Sequence, residues 1–465
     1  MATVTFEQPR QAPSRRKGGR TASTRSAPRP RPGVLRAAEV VAGFGLGAVV
    51  ALTVATESGA ELALPGGIAT FLGNLTGMVG MYLALLMVLL VSRIAVIERV
   101  MGQDGLLRWH RRLGPWPISL IGAHAVLTTI GYAEVGRTGA WAQVGTFVRS
   151  YPDMLAATVA LGLMVLAGIV SIRAIRTRLR RETWWVIHLY LYLALALSFA
   201  HVIVLGQAFV GHPLTQIVWS AIWASTAGLV LGYRVGLPVY RSLRHRLKVV
   251  EVRREAPGVT SIICGGRRLD RLPISGGQFL LWRFLAPGLW WQAHPYSVSA
   301  LPRPPHIRLT VKAVGDHSSA LARIRPGTSV FIEGPYGAFT RHAQRRQKVV
   351  LLAAGIGITA LRALLEDLPR RSAPIVIVRA PTEADLVLHS EVAELVRHRK
   401  GVLHELFGSR REARIDTESL RRLVPDLPQR DVYVCGPPAF VADVERTVRR
   451  LGVPDEAVHH EAFAY

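Results

Sequence analysis

Hydrophobic positions dominate the first half of this chain and then give way to short alternating runs. Six apolar segments, near 36–56, 68–92, 110–132, 154–174, 184–205 and 214–236, meet or approach the ~18–20 residues a helix needs to cross a bilayer. From about Arg246 the pattern changes to brief β-type runs, LKVVEV, TSIIC, QFLLW, HIRLTVKAV and SVFIEG, parted by Pro and Gly turns. That spacing predicts a small antiparallel barrel. From about Lys348 strand-like and helical runs alternate: VVLLAA before ITALRALLEDL, IVIVRA before DLVLHSEVAELVRH, then VLHELF and DVYVCG. Alternation of this kind predicts an open parallel sheet for a nucleotide. The expected fold is a bundle of six transmembrane α-helices, then an antiparallel β-barrel and an α/β Rossmann-like domain. The boundaries fall at 36–240, 241–344 and 345–465, behind a tail of residues 1–35.

Loop charges give the helices a direction. The second-to-third loop carries Arg93, Arg99, Arg108, Arg111 and Arg112, and the fourth-to-fifth carries Arg173, Arg176, Arg178, Arg180 and Arg181. Arg241, Arg244, Arg246 and Lys248 follow the sixth segment. The opposite loops offer Arg137 and Arg149 against Glu57, Glu61, Glu134 and Asp153. By the positive-inside rule both termini are expected in the cytoplasm, with the chain multi-pass in the cell membrane.

Composition agrees. Half of the 465 residues are hydrophobic, yet the net charge is +26, a combination that suits a membrane protein with one basic face and not a soluble globule. A nucleic-acid partner is not expected, since no basic stripe is interleaved with stacking aromatics. The two cysteines, Cys264 and Cys435, cannot supply the four thiolates of an iron–sulfur cluster, and without a CxxC no structural zinc is expected. The Arg-, Ser- and Pro-rich stretch to about Pro32 reads as a disordered cytoplasmic tail. Its Arg15-Arg16 pair is followed by Lys17-Gly18-Gly19 where an export signal needs apolar residues, so the next apolar run reads as the first transmembrane helix.

Ionisable groups inside a membrane are costly and therefore functional candidates. A lone histidine there is more often satisfied by a neighbouring helix. Here His110 and His124 stand 14 residues apart and His188 and His201 stand 13 apart, in the third and fifth segments. At ~1.5 Å per residue each pair spans roughly 20 Å, and the two segments run in the same direction. His110 with His188 toward the cytoplasm, and His124 with His201 toward the outside, would form two bis-imidazole sites suited to two haem b groups. Helical phase strains the picture: 14 steps return within ~40° of one face, but 13 steps miss by ~140°. Either the fifth helix is irregular or its two sites are rotated relative to each other. His110 also lies among Arg108, Arg111 and Arg112 at the membrane interface, where those arginines suit haem propionates.

The second half carries ordered motifs. HPYSVSA begins at His294, where Pro295 leads into Tyr296, which can pack on a flavin, and Ser297, whose hydroxyl can bond the ring edge. VKAVGDHSSAL sets Gly315, Ser318 and Ser319 before a helical stretch, an arrangement suited to a pyrophosphate, although a serine there is also a common helix cap. AGIGIT places Gly355 and Gly357 after a strand, with Thr359 in the following helical turn, as in a dinucleotide loop. Ser409, Arg410 and Arg411 follow the third strand and are suited to a 2′-phosphate, favouring NADPH over NADH; a solvated charge cluster is the alternative. Arg379, after the second strand, is a weaker contributor. VCGPP sets Cys435, Gly436 and Pro437 at a strand end, and the chain closes on Phe463 and Tyr465.

In this order the histidine spacings, HPYS, AGIGIT, CGPP and the terminal aromatic resemble the ferric reductase and NADPH oxidase family of transmembrane flavocytochromes b. The resemblance spans about residues 36–465 and includes a ferredoxin–NADP reductase-type module. It implies FAD on the barrel at His294–Ser297, Gly315, Ser318 and Ser319, and nicotinamide held near Cys435. It implies a terminal aromatic shielding the flavin. His294 stands where many relatives carry Arg, which weakens phosphate pairing there. The resemblance further implies electron flow from NADPH (or NADH) through FAD and both haems to an outer acceptor, a ferric chelate or dioxygen. Loops 57–67, 133–153 and 206–213, with Arg137 and His212, would choose between those acceptors but carry no diagnostic motif. Two other readings are a flavin reductase on a bare helical anchor and a histidine-relay transporter with a regulatory nucleotide domain. The oligomeric state is not legible.

Overall fold

The computed structural model describes residues 32–94, 97, 103–409 and 412–463. Of the expected tail only residues 32–35 fall inside that range, at the start of the first helix, and Arg410, Arg411 and Tyr465 lie outside it. Helices α1 (Pro32–Ala55), α2 (Gly67–Val91), α3 (Gln103–Leu113), α4 (Pro115–Gly136), α5 (Ala140–Ser150), α6 (Met154–Ser171), α7 (Arg181–Leu205), α8 (Pro213–Leu231) and α9 (Leu237–His245) make up the bundle. Six stretches are long and apolar enough to cross a membrane: 36–55, 67–91, 105–136, 154–171, 182–205 and 213–245. The third and sixth exceed the sequence expectation, for separate reasons. In the third, α3 runs into α4 across Gly114, whose backbone stays helical. In the sixth, α8 passes through a π turn at Gly232–Gly236 into α9. A 33-residue rod of this kind is ~50 Å long, so it outreaches a ~30 Å hydrocarbon layer.

The bundle is apolar outside as well as in. Phe44, Val126, Leu155 and Ile217 are exposed, a surface that needs lipid as its solvent. Within it, small residues let helices approach. A Cβ on Gly73 would meet Thr128, and one on Gly77 would lie 2.7 Å from Nδ1 of His124. These glycines of α2 form the small-xxx-small spacing that brings membrane helices together.

Beyond α9, strands β1 (Leu247–Ala256), β2 (Val259–Gly265), β3 (Phe279–Phe284), β4 (His294–Arg303), β5 (His306–Lys312) and β6 (Ser329–Tyr336) close a barrel in the order β1-β2-β5-β4-β3-β6. Trp282, Phe284, Ile262 and Leu309 fill its interior. The last part is a parallel sheet of β7 (Val349–Ala354), β8 (Ile375–Ala380), β9 (Val402–Phe407), β10 (Asp431–Gly436) and β11 (Val458–Ala462), ordered β11-β10-β7-β8-β9. Strand β11 was not expected. Its residues VHHEA are too polar to read as a buried strand, and β10 supplies the hydrogen bonds that hold it. Helices α10 (Asp316–Leu321), α11 (Ile358–Asp367), α12 (His389–His398), α13 (Thr417–Leu423) and α14 (Pro438–Arg450) complete the fold.

The barrel and the sheet are joined by apolar packing, with Phe339 against Tyr433, and by charge. Glu366 and Arg362 of α11, Glu391 of α12, Arg303 of β4 and Arg308 of β5 form one ion-pair network. Burial pushes the Glu366 carboxyl up, but Arg362, the Leu301 N–H and Arg303 more than reverse this and hold it below the usual range. Glu391 is likewise held low by Arg308 and Arg362 against its burial.

Candidate functional site

The four membrane histidines meet in two pairs. The His110 and His188 rings have centroids 6.1 Å apart at an interplanar angle of 75°. Those of His124 and His201 are 6.2 Å apart at 62°. With metal–nitrogen bonds of about 2 Å and an imidazole centre about 1 Å behind its nitrogen, an ion shared by two imidazoles sets centroids roughly 6 Å apart. Each pairing requires the α3–α4 rod and α7 to run in the same direction. Helix α7 is unbroken from Arg181 to Leu205, so the ~140° offset between His188 and His201 is a rotation of the two pairs and not an irregularity.

Each ring has a distinct setting. Nδ1 of His124 lies 2.9 Å from the Gly73 carbonyl, a bond that puts the proton on Nδ1 and leaves Nε2 free to ligate. His188 stacks on Trp184 at 5.1 Å, and Arg176 lies over that indole at 4.4 Å. Nδ1 of His110 and Nδ1 of His201 are buried without a hydrogen-bond partner among the described residues. Two paired, neutral nitrogen donors without carboxylate or thiolate fit a haem iron. Trp184, Gly73 and Gly77 had not been singled out in the sequence; the GNLTG spacing was the available signal for the glycines.

On the barrel, β4 presents His294 to Ser297. The His294 ring stacks on His317 with centroids 3.7 Å apart, and the Tyr296 hydroxyl lies 3.3 Å from Nδ1 of His317. Burial, reinforced by His294, pulls His317 down to about 4, so it is neutral at pH 7. Burial also raises the Tyr296 phenol. Trp282 donates its indole N–H to the Tyr296 carbonyl and fixes the strand there. Pro295 is exposed beside them. The Ser297 hydroxyl and Nε2 of His317 are buried polar atoms with no partner among the described residues, a donor set that fits a flavin edge.

The expected pyrophosphate group looks different. Ser318 Oγ accepts the N–H groups of Val314 and Gly315, so it builds the loop before α10, while Ser319 is exposed.

In the sheet, adjacent strands β7 and β10 deliver the dinucleotide loop and the CGPP segment side by side. Gly355 has φ +55°, a left-handed conformation natural to glycine, with open space where a Cβ would stand. A Cβ on Gly357 would lie 2.3 Å from the Cys435 carbonyl oxygen, so only glycine permits this approach. Thr359 is buried, and its hydroxyl donates to the Ile356 carbonyl. Cys435 is fully buried, and burial with nearby Glu461 raises its thiol well above the usual range. Gly436 and Pro437 lead into α14, and Phe463 donates its N–H to the Gly436 carbonyl at 3.0 Å and packs against the apolar cluster that contains Cys435. Arg379 lies over the Phe440 ring. The Ser409 amide donates to Glu412 at 2.8 Å, an acidic neighbour that sequence reasoning had passed over.

Comparisons with known proteins fall on these same segments. Residues 76–199 match the ferric reductase like transmembrane component, 262–340 an FAD-binding domain and 351–446 an oxidoreductase NAD-binding domain. The chain belongs to the ferric reductase and NADPH oxidase-type family. It is a multi-pass integral membrane protein and an NAD(P)H-dependent oxidoreductase. A flavohemoprotein of Bordetella pertussis is 30% identical over 56% of this chain and 72% of its own length. An NADPH oxidoreductase of Mycobacterium tuberculosis is 27% identical over 49% of this chain and 62% of its own. The FAD/NAD-binding domain of a nitric oxide dioxygenase from Vibrio cholerae, 24% identical, covers 47% of this chain and 98% of its own with a TM-score of 0.41. In this ferric reductase-type protein the matched segments contain all four paired histidines except His201, which lies two residues beyond the membrane match.

Proposed function

We propose that this protein carries electrons from cytoplasmic NAD(P)H through FAD and two b-type haems across the cell membrane to an external acceptor such as a ferric complex. The observation that carries the reading is the pair of imidazole couples, 6.1 and 6.2 Å between centroids, on helices that share a direction. His110 and His188 would hold the inner haem, and His124 and His201 the outer one. When bound, the flavin converts a two-electron hydride donor into a source of single electrons, and each haem relays one electron at a time. One NAD(P)H thus reduces two ferric ions and releases one proton.

The remaining roles belong to this chain's side chains. Tyr296 and Ser297 orient the flavin, and Gly355 and Gly357 admit the nucleotide phosphates. Cys435 lies where the nicotinamide would be held, and Phe463 with Tyr465 would shield the flavin until nicotinamide arrives. Basic residues around the inner loops keep both termini in the cytoplasm. Ser409, Arg410 and Arg411 would clasp a 2′-phosphate and so favour NADPH over NADH, with Arg379 contributing and the Glu412 carboxylate beside Ser409 weakening that preference.

The test is the absorption spectrum of the purified protein before and after NADPH. A reduced b-type haem signal supports the reading; flavin without haem sinks it in favour of a membrane-anchored reductase. Superoxide formed in place of ferrous iron would make dioxygen the acceptor. Loss of outer-face reduction in His124→Ala or His201→Ala, with soluble dye reduction retained, assigns the outer pair.

A further inference from the structure

Side chains from three separate parts of the bundle converge on one barrel strand. Arg93, just past α2, places Nη1 3.0 Å from Glu333 Oε1 of β6. Arg234, on the π turn after α8, lies 3.9 Å from the same oxygen. On α9, Arg241 donates to the Gly334 carbonyl, and Ser242 Oγ accepts the Ile332 N–H at 3.0 Å. The Tyr336 hydroxyl completes the set by donating to Glu333 at 2.8 Å, and Arg93 also lies over its ring at 4.8 Å.

This convergence is more than a surface contact. Arg93 and Glu333 expose only 19% and 18% of their side chains, so solvent screens the pair far less than an open one. Among the described residues the carboxylate is met by the loop after α2, by the π turn and by Tyr336 of its own strand. Strand β3 separates it from the candidate flavin residue Ser297, with Phe279 standing in register between Tyr336 and Ser297.

We propose that Glu333, gripped by Arg93 and Arg234, is a positioning residue that sets the distance and orientation between the flavin barrel and the membrane bundle. It governs electron passage from barrel to bundle and takes no part in nucleotide oxidation. Electron transfer between fixed centres falls steeply with separation, so a small loosening at this joint slows that step alone. The proposal rests on the electron-transfer reading above.

The experiment uses the full chain in lipid nanodiscs, as the unaltered protein, Glu333→Gln, Arg93→Ala and the exchanged pair Arg93→Glu with Glu333→Arg. Three quantities are read: NAD(P)H oxidation with a soluble indophenol dye, the rate of haem reduction by NAD(P)H, and amide hydrogen exchange across Ile332–Tyr336. Dye reduction stays unchanged, haem reduction slows about tenfold in the single variants, exchange on β6 rises, and the exchanged pair recovers part of the lost rate. Equal loss of dye and haem reduction overturns the proposal, because Glu333 then serves the barrel itself. Unslowed haem reduction in the single variants overturns it alone. An unaltered protein with no haem signal overturns the electron-transfer reading and this proposal with it.

Discussion

Arg308 of the barrel and Glu391 of the nucleotide-binding domain share two hydrogen bonds, of 2.7 and 2.8 Å, across the line where the two domains meet. Arg308 exposes only 1% of its side chain, so its charge is answered inside the protein, by Glu391 and by the hydroxyl and carbonyl of Ser299.

Removing that answer leaves a buried cation. Glu391→Ala is expected to destabilise the joined domains by roughly 3 kcal/mol, the scale of breaking a buried pair. Glu391→Gln retains hydrogen bonds and costs less. Thermal release of flavin fluorescence checks both, and equal midpoints for the two variants would contradict the argument.

The same network sets an acid limit. Glu366 and Glu391 are held below the ordinary value of 4.5 in the fold. As pH falls through about 4.5 the unfolded chain takes up protons that the folded one refuses. The stability contributed is therefore full at neutral pH and is lost as pH drops through 4.5 and on through the folded values. Denaturant midpoints at pH 7 and pH 4 should differ less in Glu366→Gln than in the unaltered protein.

Much of this was legible in advance. The apolar segments, the loop arginines and the alternating runs LKVVEV to DVYVCG located helices, barrel and sheet, because solvent sets those patterns residue by residue. The histidine partners could also be read from direction and spacing. What escaped were relationships that only packing creates. Gly73 and Gly77 matter through the His124 ring they accommodate, β11 through the strand beside it, and Glu412 through the Ser409 amide. Helical phase left His188 and His201 open between an irregular helix and two rotated sites, and only the unbroken run of α7 decides between them.

Gly77→Ala tests the room around the outer pair. Its Cβ would stand 2.7 Å from Nδ1 of His124, displacing a ring that also holds the Gly73 carbonyl. The expected outcome is loss of about half the haem, measured as the haem-to-protein ratio, with flavin content unchanged.

Gly355 and Gly357 should behave differently. Gly355→Ala meets no atom but must hold φ +55°, at a cost of about 1 kcal/mol. Gly357→Ala drives a methyl into the Cys435 carbonyl and must move the loop. The KM for NAD(P)H in steady-state dye reduction should rise more in the second variant.

Ser297→Ala removes a buried hydroxyl that bonds to no other described residue. The flavin-free protein should keep its melting temperature, while the Kd for FAD rises about tenfold, the worth of one hydrogen bond. Fluorescence titration with FAD decides, and an unchanged Kd would remove Ser297 from the site.

Helix α7 carries one member of each imidazole couple, ~140° apart around its axis. A turn of the helix about that axis therefore sweeps His188 and His201 in nearly opposite directions. Rotation that tightens one couple strains the other, so the two act as opposing stops. The helix is braced against twisting by the very groups it presents, and only a displacement along or away from the α3–α4 rod disturbs both couples in the same sense.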